Sequence, residues 1–155
     1  MSASTLTYQV EAFADAWPDA QELIQLHWRE IARDQETIPL EPDLEFYRAI
    51  DQAKALLIVT ARDGGTLVGY HASLIRPHMH YRNSMTAFTD LFFIHKDYRS
   101  GRNAWRLFRK VEQELAARGV QRMFASCKLS LDLLPLFKAL GWNEIERTFS
   151  KKPEL

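Results

Sequence analysis

A basic loop between an apolar strand and a long helix carries the residues best suited to chemistry. The loop is Tyr98–Asn103 (YRSGRN), and the apolar run Leu91–Ile94 stands shortly before it. Apolar residues at the spacing of one buried helix face follow the loop: Ala104, Leu107, Phe108, Val111 and Leu115. The first N–H groups of a helix have no partner within the helix, and its dipole favours negative charge there. The loop therefore predicts an anion-binding site.

A carboxylate, Asp90, stands directly before the apolar run. A carboxylate near apolar residues tends to have a raised pKa, which suits a general base. Asp90 is therefore a candidate base that acts directly or through a water molecule. The alternative is a strand-end residue that a neighbouring arginine or the main chain satisfies.

Two other groups could do chemistry, and each has a plainer interpretation. Cys127, the single cysteine, has no obvious His or Asp partner in the sequence, so we interpret it as a buried small hydrophobe. His78 and His80 would share one face of an extended segment and could form a metal pair. Because no third ligand is evident, we expect a polar loop there and no metal.

Length and charge limit the classes of function. The 155 residues predict one domain over 1–155, and Lys+Arg and Asp+Glu balance at 20 each. This balance argues against binding to nucleic acid or membrane through bulk charge. No apolar run reaches membrane-spanning length, and the N-terminus lacks the basic and apolar regions of a leader. With one cysteine and no leader, a cytoplasmic location is expected.

Hydrophobic periodicity and turn residues predict the elements that must position these groups. The expected order is β-α-α-β-β-β-α-β-α-β. The predicted strands are Thr7–Phe13, Ala55–Ala61, Thr66–Arg76, Ser84–Ile94, Val120–Cys127 and Trp142–Ser150. The predicted helices are 19–34, one from about Pro42, one that ends at Gly119, and Leu131–Leu140 capped by Ser130. Asp63–Gly65 is expected to form a hairpin turn, and Gly69 a bulge or a point of close approach.

This order and the loop resemble the GNAT superfamily of acyl-coenzyme A-dependent N-acyltransferases. In that family, a loop of pattern Gln/Arg-x-x-Gly-x-Gly/Ala joins the fourth strand to the third helix. Arg99 matches its first position and Ala104 its last, whereas Arg102 stands at the middle glycine and Gly101 lies one place earlier. The resemblance implies an α+β fold of three layers (α/β/α) around a mixed, mostly antiparallel, twisted sheet.

The resemblance also implies acetyl-CoA as cosubstrate, with no metal. Main-chain N–H groups of Phe93 and Ile94 would bind the pantetheine amides and the thioester carbonyl. Ser130–Trp142 is similar to the family segment Asn-x-x-Ala-x-x-Leu-Tyr-x-x-x-Gly-Phe, and Ser130 stands at its Asn. The remaining residues implied in cofactor binding, those of the pyrophosphate loop, are Arg99, Ser100, Gly101, Arg102, Asn103 and Ala104.

The implied activity is direct attack of a primary amine on acetyl-CoA. Asp90 matches a position where several members carry Glu and is the expected base. Phe137 replaces the Tyr that protonates the leaving thiolate in many members, so another acid is needed, or none. Tyr81 is the acid we select, because it could reach the acceptor side; Tyr98 and Ser126 are alternatives.

Several points stay open at this stage. The alternative function is a catalytically weak or inactive GNAT-fold protein that binds coenzyme A, a ligand or a protein partner. The segment Arg76–Arg82 and the strand after it also look like a phage-encoded branch of the superfamily. The acceptor is a small-molecule or peptide amine that the sequence does not name. The oligomeric state is open, with a homodimer as one candidate because dimers are common in the family.

Overall fold

A computed structural model describes residues 5–154. The described residues do not include Met1–Ser4 or Leu155. The first belong to the segment expected not to be a leader, and Leu155 is the end of the expected domain. A short 3₁₀ helix, Lys96–Tyr98, follows the fourth strand. The other elements are, in chain order, β1 (Thr7–Val10), α1 (Phe13–Ile31), α2 (Leu44–Gln52), β2 (Leu56–Asp63), β3 (Thr66–His78), β4 (Tyr81–Ile94), α3 (Asn103–Ala117), β5 (Arg122–Phe124) and α4 (Leu134–Ala139).

The strands form one sheet in the order β1-β2-β3-β4-β5. The first four strands are antiparallel to their neighbours, and β5 runs parallel to β4. The first four residues of strand β2, Leu56–Val59, are all apolar and buried, because helices cover both faces of the strand there. Leu57 and Val59 pack with α3 in one cluster, whereas Leu56 and Ile58 pack with α1 and α2 in another. The three layers and the mostly antiparallel sheet confirm the predicted fold class.

Glycines act where the sequence predicts them. Asp63 pairs with Thr66 across the two-residue turn, and Gly64 has a positive φ of +62°. At Gly69, a Cβ atom would lie only 2.9 Å from the carbonyl oxygen of Phe93, so β3 and β4 could not approach this closely with a larger residue. The hairpin turn and the close approach are therefore both confirmed.

The predicted last strand is wrong, because Trp142–Ser150 contains no strand. The indole Nε1 of Trp142 donates to Glu112 Oε1 of α3 at 2.7 Å, and the ring packs against Phe137. These contacts hold the chain against α3 and α4. Because β5 pairs over only three residues, it offers little edge for a further strand. The segment runs on to Lys152, whose Nζ lies 3.3 Å from Asp34 Oδ1.

Helix boundaries also differ from the sequence pattern. Helix α1 begins at Phe13, before Pro18, because the Asp51 carboxylate accepts the Phe13 amide at 2.8 Å and satisfies the helix start. Helix α4 begins at Leu134, whose amide is accepted by Asp132 Oδ1 at 2.9 Å, so Ser130 does not cap it. Across residues 5–154, no helix has the length and apolarity needed to cross a membrane.

Candidate active site

Strands β4 and β5 separate to form a cleft. Their last pair is Phe88 and Phe124, and beyond it the two chains diverge. The space between them has a volume of about 1280 Å³. Thr89–Ile94 line one wall and Ser126–Leu129 the other. The remaining sides are formed by the end of α1 and the residues after it, the start of α3, residues of α4, and Thr148–Ser150. The cleft therefore runs from the end of β4 to the point where the strands part.

A β-bulge marks that point on β4. Ser73 pairs with Thr89 and Ala72 with Leu91, so Asp90 is an extra residue with no partner on β3. Bulges occur beside active sites because they redirect side chains. Here the bulge turns Leu91 into the clusters under α1 and α2, and Asp90 also points to that side.

The Asp90 carboxylate is exposed and is bound by a tyrosine of α2. Tyr47 Oη donates to Asp90 Oδ2 at 2.7 Å. Burial, together with the Asp90 carboxylate, raises the pKa of the Tyr47 hydroxyl above its usual range, so this hydroxyl remains a donor. The apolar surroundings expected for Asp90 are not found. Instead, a tyrosine fixes one carboxylate oxygen at the cleft, so the side chain has a partner, as in the alternative interpretation, but the partner is a hydroxyl rather than an arginine or the main chain.

Main-chain groups of β4 face the cleft at Phe92 and Ile94. The amide of His95 donates to Val68 O of β3 at 2.8 Å, and successive residues of an antiparallel strand alternate in direction. Phe93 therefore points its N–H toward β3, whereas Phe92 and Ile94 point theirs away. The N–H group of Ile94 thus faces the cleft as expected, whereas that of Phe93 faces β3 and that of Phe92 faces the cleft.

The loop between β4 and α3 adopts a left-handed turn at its glycine. Gly101 has a φ of +68°, and a Cβ there would meet no atom within 4 Å. Arg102 has an ordinary φ of −106° and carries its side chain without strain. The glycine one place earlier thus takes the strained position, which explains why arginine is tolerated next to it.

The start of α3 combines free amides with positive charge. No side chain caps this helix end, whose cap position is Arg102. The guanidinium of Arg102 lies over the Trp105 ring, 4.1 Å from its centroid, which holds the charge beside the helix start. Ala104 and Trp105 line the cleft at the same place. Uncapped amides and a neighbouring cation are features that favour an anion at this end of the cleft.

Arg99 and Asn103 build the loop rather than face the cleft with free donors. Arg99 binds both carboxylate oxygens of Glu30, at 2.7 and 2.6 Å, and its Nε donates to Ile94 O at 2.8 Å. This bidentate bond holds the pKa of the Glu30 carboxyl below its usual range. Asn103 Nδ2 donates to Tyr98 O at 3.0 Å. Ser100, between them, is exposed.

Tyr81 and Ser130 are not brought to the cleft. Tyr81 lies at the exposed tip of the β3–β4 hairpin, where its ring packs against His78 and His80. It precedes Asp90 by nine residues of the same strand, a separation of roughly 30 Å at the rise of an extended chain. Ser130 is exposed in the turn before α4 and does not line the cleft. Neither residue is positioned for the predicted role.

Some of the other expectations about single residues agree with the structure and one does not. The Tyr98 hydroxyl donates to Asp63 Oδ2 at 2.9 Å, which makes it a packing residue. The interpretation of Cys127 as buried is wrong: it is exposed and lines the cleft, because β5 ends at Phe124. Phe137 packs edge-on against Phe108 with ring centroids 5.4 Å apart and offers no hydroxyl. Within residues 5–154, no three His, Cys, Asp or Glu residues are grouped to hold a metal.

Sequence reasoning missed His27, which also lines the cleft. The imidazole is buried, stacks on Phe93 and places Nδ1 2.8 Å from Tyr70 Oη. Burial lowers the pKa of His27 to about 4, so it is neutral at pH 7. The available signal was a single titratable residue among the apolar positions Leu23, Ile24 and Ile31 of one helix.

Solved structures with this fold include acetyltransferases. One is an aminoglycoside acetyltransferase, HMB0005, from an uncultured soil metagenomic sample, with 16% identity over 97% of this chain and 99% of that one, at a TM-score of 0.76. Another is ribosomal-protein-alanine N-acetyltransferase from Brucella melitensis biovar Abortus 2308, with 15% identity over 97% and 100% of the two chains, at 0.71. AAC(6')-Iy, solved with a bisubstrate analogue of CoA and acetylneamine, shares 20% identity over 98% and 100%, at 0.66.

At these identities the likeness shows the fold alone. The family follows from the sequence: a model described as the acetyltransferase (GNAT) family matches residues 9–142. The chain belongs to this family. No curated protein matches it.

Proposed function

We propose that the chain transfers an acetyl group from acetyl-CoA to a primary amine by direct attack. The observation that carries this proposal is the position of Asp90. The carboxylate lies at the bulge where β4 and β5 part, at the opposite end of the cleft wall from the anion-binding loop. A molecule with a phosphate at one end and a reactive group at the other could therefore bind along the cleft, with its phosphate at the loop and its reactive group at Asp90.

The residues of the cleft fit this cosubstrate. Arg102 and the uncapped amides of α3 would hold the pyrophosphate, and the left-handed Gly101 leaves open space beside them. The N–H groups of Phe92 and Ile94 would bind the amides of the pantetheine arm, as a further strand would. Bound there, acetyl-CoA supplies an acetyl group activated as a thioester.

Asp90 supplies the proton acceptor. The transfer joins the amine nitrogen to the acetyl carbon and breaks the carbon–sulfur bond, whose electron pair leaves with the sulfur. An amine that arrives as an ammonium ion first loses one proton to water, and the nitrogen loses a second proton as the new bond forms. Tyr47 occupies Asp90 Oδ2, which leaves Oδ1 to accept that second proton. Tyr47 thus positions the base without competing for both oxygens.

The acceptor side is the face of the sheet under α1 and α2. Asp90 points to that side, and the neighbouring aromatic residues Trp17 and Phe13 pack there beside Tyr47. An aminoglycoside and the alanine of a ribosomal protein appear in the names of the structural neighbours. Both classes of amine belong in the first substrate panel. The cytoplasmic location, the phage-encoded branch and the homodimer stay predictions.

The experiment has a binding step and a turnover step. Calorimetry with acetyl-CoA should give saturable binding, and release of free thiol should then depend on an added amine, with the acetylated product seen by mass spectrometry. Absence of binding at high micromolar acetyl-CoA contradicts the proposal at its first step.

A second candidate is a catalytically weak or inactive member that binds coenzyme A. Phe137 favours it, because the ring on α4 packs into the aromatic cluster with Phe108 and Trp142 and provides no acid. Saturable binding of coenzyme A without turnover on any amine of the panel would support this candidate.

A further inference from the structure

A row of three polar side chains, two of them buried, runs from β3 to the cleft. His71 and Ser73 are each 1% exposed. His71 Nε2 lies 3.2 Å from Thr89 Oγ1, and His71 Nδ1 lies 3.4 Å from Ser73 Oγ. Thr89 in turn lines the cleft, one residue before Asp90. The three side chains thus connect the interior of the sheet to the place where β4 and β5 part.

The imidazole at the centre of this row is neutral. Burial lowers the pKa of His71 to about 3, and its surroundings are the rings of Phe92 and Phe108. A neutral imidazole donates from one nitrogen and accepts at the other. The direction of the row, meaning the donor and acceptor roles along it, therefore depends on which nitrogen of His71 carries the proton.

The buried hydroxyl of Ser73 decides that direction. Among the described residues, its only side-chain hydrogen-bond partner is His71 Nδ1. If Nδ1 carried the proton, the Ser73 hydroxyl would accept it and leave its own proton buried without an acceptor, at a cost of about 1–3 kcal/mol. If Ser73 donates to Nδ1, every buried proton has a partner, and Nε2–H donates to Thr89 Oγ1. The Thr89 hydroxyl then has its own proton left for the cleft.

Thr89 lies on the same face of β4 as Phe137, the residue that replaces the tyrosine acid of many family members. Thr89 contacts His71, which packs edge-on against Phe108, and Phe108 packs edge-on against Phe137 of α4. Asp90 points to the opposite face, toward Tyr47. Two consecutive residues of one strand thus place a proton acceptor and a hydrogen-bond donor on opposite sides of the reacting position.

We infer that the Thr89 hydroxyl donates a hydrogen bond to the sulfur that leaves, and that His71 and Ser73 are positioning residues that aim it. The inference rests on the proposed acetyl transfer. The sulfur leaves with the electron pair of the carbon–sulfur bond, and Thr89 keeps its proton. A donor suffices because an alkyl thiol has a pKa of only about 8.5, so its anion needs stabilisation rather than full protonation. A fixed donor aimed at developing charge is an efficient source of that stabilisation.

The first test measures the thiolate of bound coenzyme A and requires no turnover. The ultraviolet absorbance of the thiolate, corrected for the protein alone, reports the pKa of the bound thiol. Asp90 lies in one wall of the cleft at the junction and Lys128 in the other. Because both charged groups are the same in every variant, they do not contribute to a difference in the thiol pKa. Thr89→Val, which removes only the hydroxyl, should raise that pKa by about one unit. Thr89→Ser should restore it.

A matched control lies three residues earlier on the same strand. Thr86 is buried and its hydroxyl donates to Arg76 O at 3.0 Å, away from the cleft. Thr86→Val should lower the stability of the fold but leave the thiol pKa unchanged. An equal shift in both valine variants, or none in Thr89→Val, overturns the inference.

Kinetics and nuclear magnetic resonance complete the test. In an active wild type, Thr89→Val should lower kcat about 10- to 100-fold while the affinity for coenzyme A stays within about twofold. Nitrogen-15 shifts of His71 should show the Nε2–H form, and Ser73→Ala should release the Nδ1–H form. An Nδ1–H form in the wild type overturns the assigned direction. Failure to bind coenzyme A refutes the proposed function and this inference together, whereas binding with a thiol pKa indifferent to Thr89→Val refutes the inference alone.

Discussion

The substitution Gly101→Ala tests whether the loop proposed to bind the anion keeps its left-handed turn when no cofactor is bound. Gly101 has a φ of +68°, and a methyl group there would meet no atom within 4 Å. The substitution therefore adds backbone strain without a steric clash. A left-handed conformation costs a non-glycine residue roughly 1–2 kcal/mol. This strain must appear in the free energy of unfolding, in the free energy of cofactor binding, or divided between the two.

The division depends on whether the loop can relax. If the free loop holds its turn, the full 1–2 kcal/mol is lost from stability and binding is unchanged. If the free loop relaxes, stability is kept, and binding must restore the turn. The affinity for coenzyme A would then fall about 5- to 30-fold. Because the loop is exposed, we expect most of the effect in binding, and the two losses should sum to about 1–2 kcal/mol.

Gly64 provides the matched control. It has a φ of +62° and equally open surroundings, but it lies in the two-residue turn between β2 and β3. Gly64→Ala should therefore lower stability by a similar amount and leave coenzyme A binding unchanged. Denaturant unfolding and calorimetry on both variants give the two quantities. If Gly101→Ala changes neither stability nor affinity, the loop does not hold the turn described, and the reasoning fails.

Three further predictions test the cleft and the fold. Arg102→Glu should weaken coenzyme A binding by tenfold or more, since charge-assisted hydrogen bonds contribute about 1.5–3 kcal/mol. The charge-matched control Arg48→Glu on α2 should leave binding unchanged. Equal losses in the two variants would mean that only the bulk charge of the protein matters. Asp90→Asn, which keeps an acceptor for Tyr47, should lower kcat about 10²- to 10⁴-fold at unchanged coenzyme A affinity, and unaltered turnover would remove Asp90 as the base. The Arg62 hydrogen bond lowers the pKa of Glu11 from 4.5 to about 2, so the stability that Glu11 contributes is complete above pH 4.5 and is lost as the pH falls toward 2. Glu11→Gln should thus remove up to about 3 kcal/mol at pH 7 and flatten the acid limb of the stability profile, whereas Glu144→Gln, in an exposed pair, should do neither.

Local pattern was enough for most of the fold. The continuous apolar run of β2 requires cover on both faces, and the structure places α3 on one face and α1 with α2 on the other. Gly64 and Gly65 favour a tight turn between β2 and β3, and this turn fixes the register as far as Arg62, beyond which a bulge shifts the pairing by one residue. The apolar spacing from Ala104 to Leu115 predicted α3, whose Leu107, Val111 and Leu115 are all in the core.

Long-range contacts decided the parts that were missed. Trp142–Ser150 has a strand-like composition, but the bond from Trp142 to Glu112 anchors it to α3, thirty residues earlier in the chain. Tyr81 seemed near the acceptor because the sequence suggested a loop from Pro77, whereas β3 and β4 both continue to the hairpin tip and carry Tyr81 away from the cleft. Arg99 suited an anion by type, yet Glu30, which only the fold brings near, already binds its guanidinium.

The bulge on β4 is the feature by which the fold organises the proposed chemistry. In a regular strand, Thr89 and Asp90 would face opposite sides, and Leu91 would share the side of Thr89. The extra residue instead sends Leu91 into the core beneath α1 and α2, beside Asp90, and leaves Thr89 with His71 on the α3 face. The strand can therefore pack its next side chain against the core and still present two polar groups at the junction. Because neither group lies on a mobile loop, the separation between acceptor and donor is set by the sheet itself, and a variant that straightened the bulge should disturb both roles together.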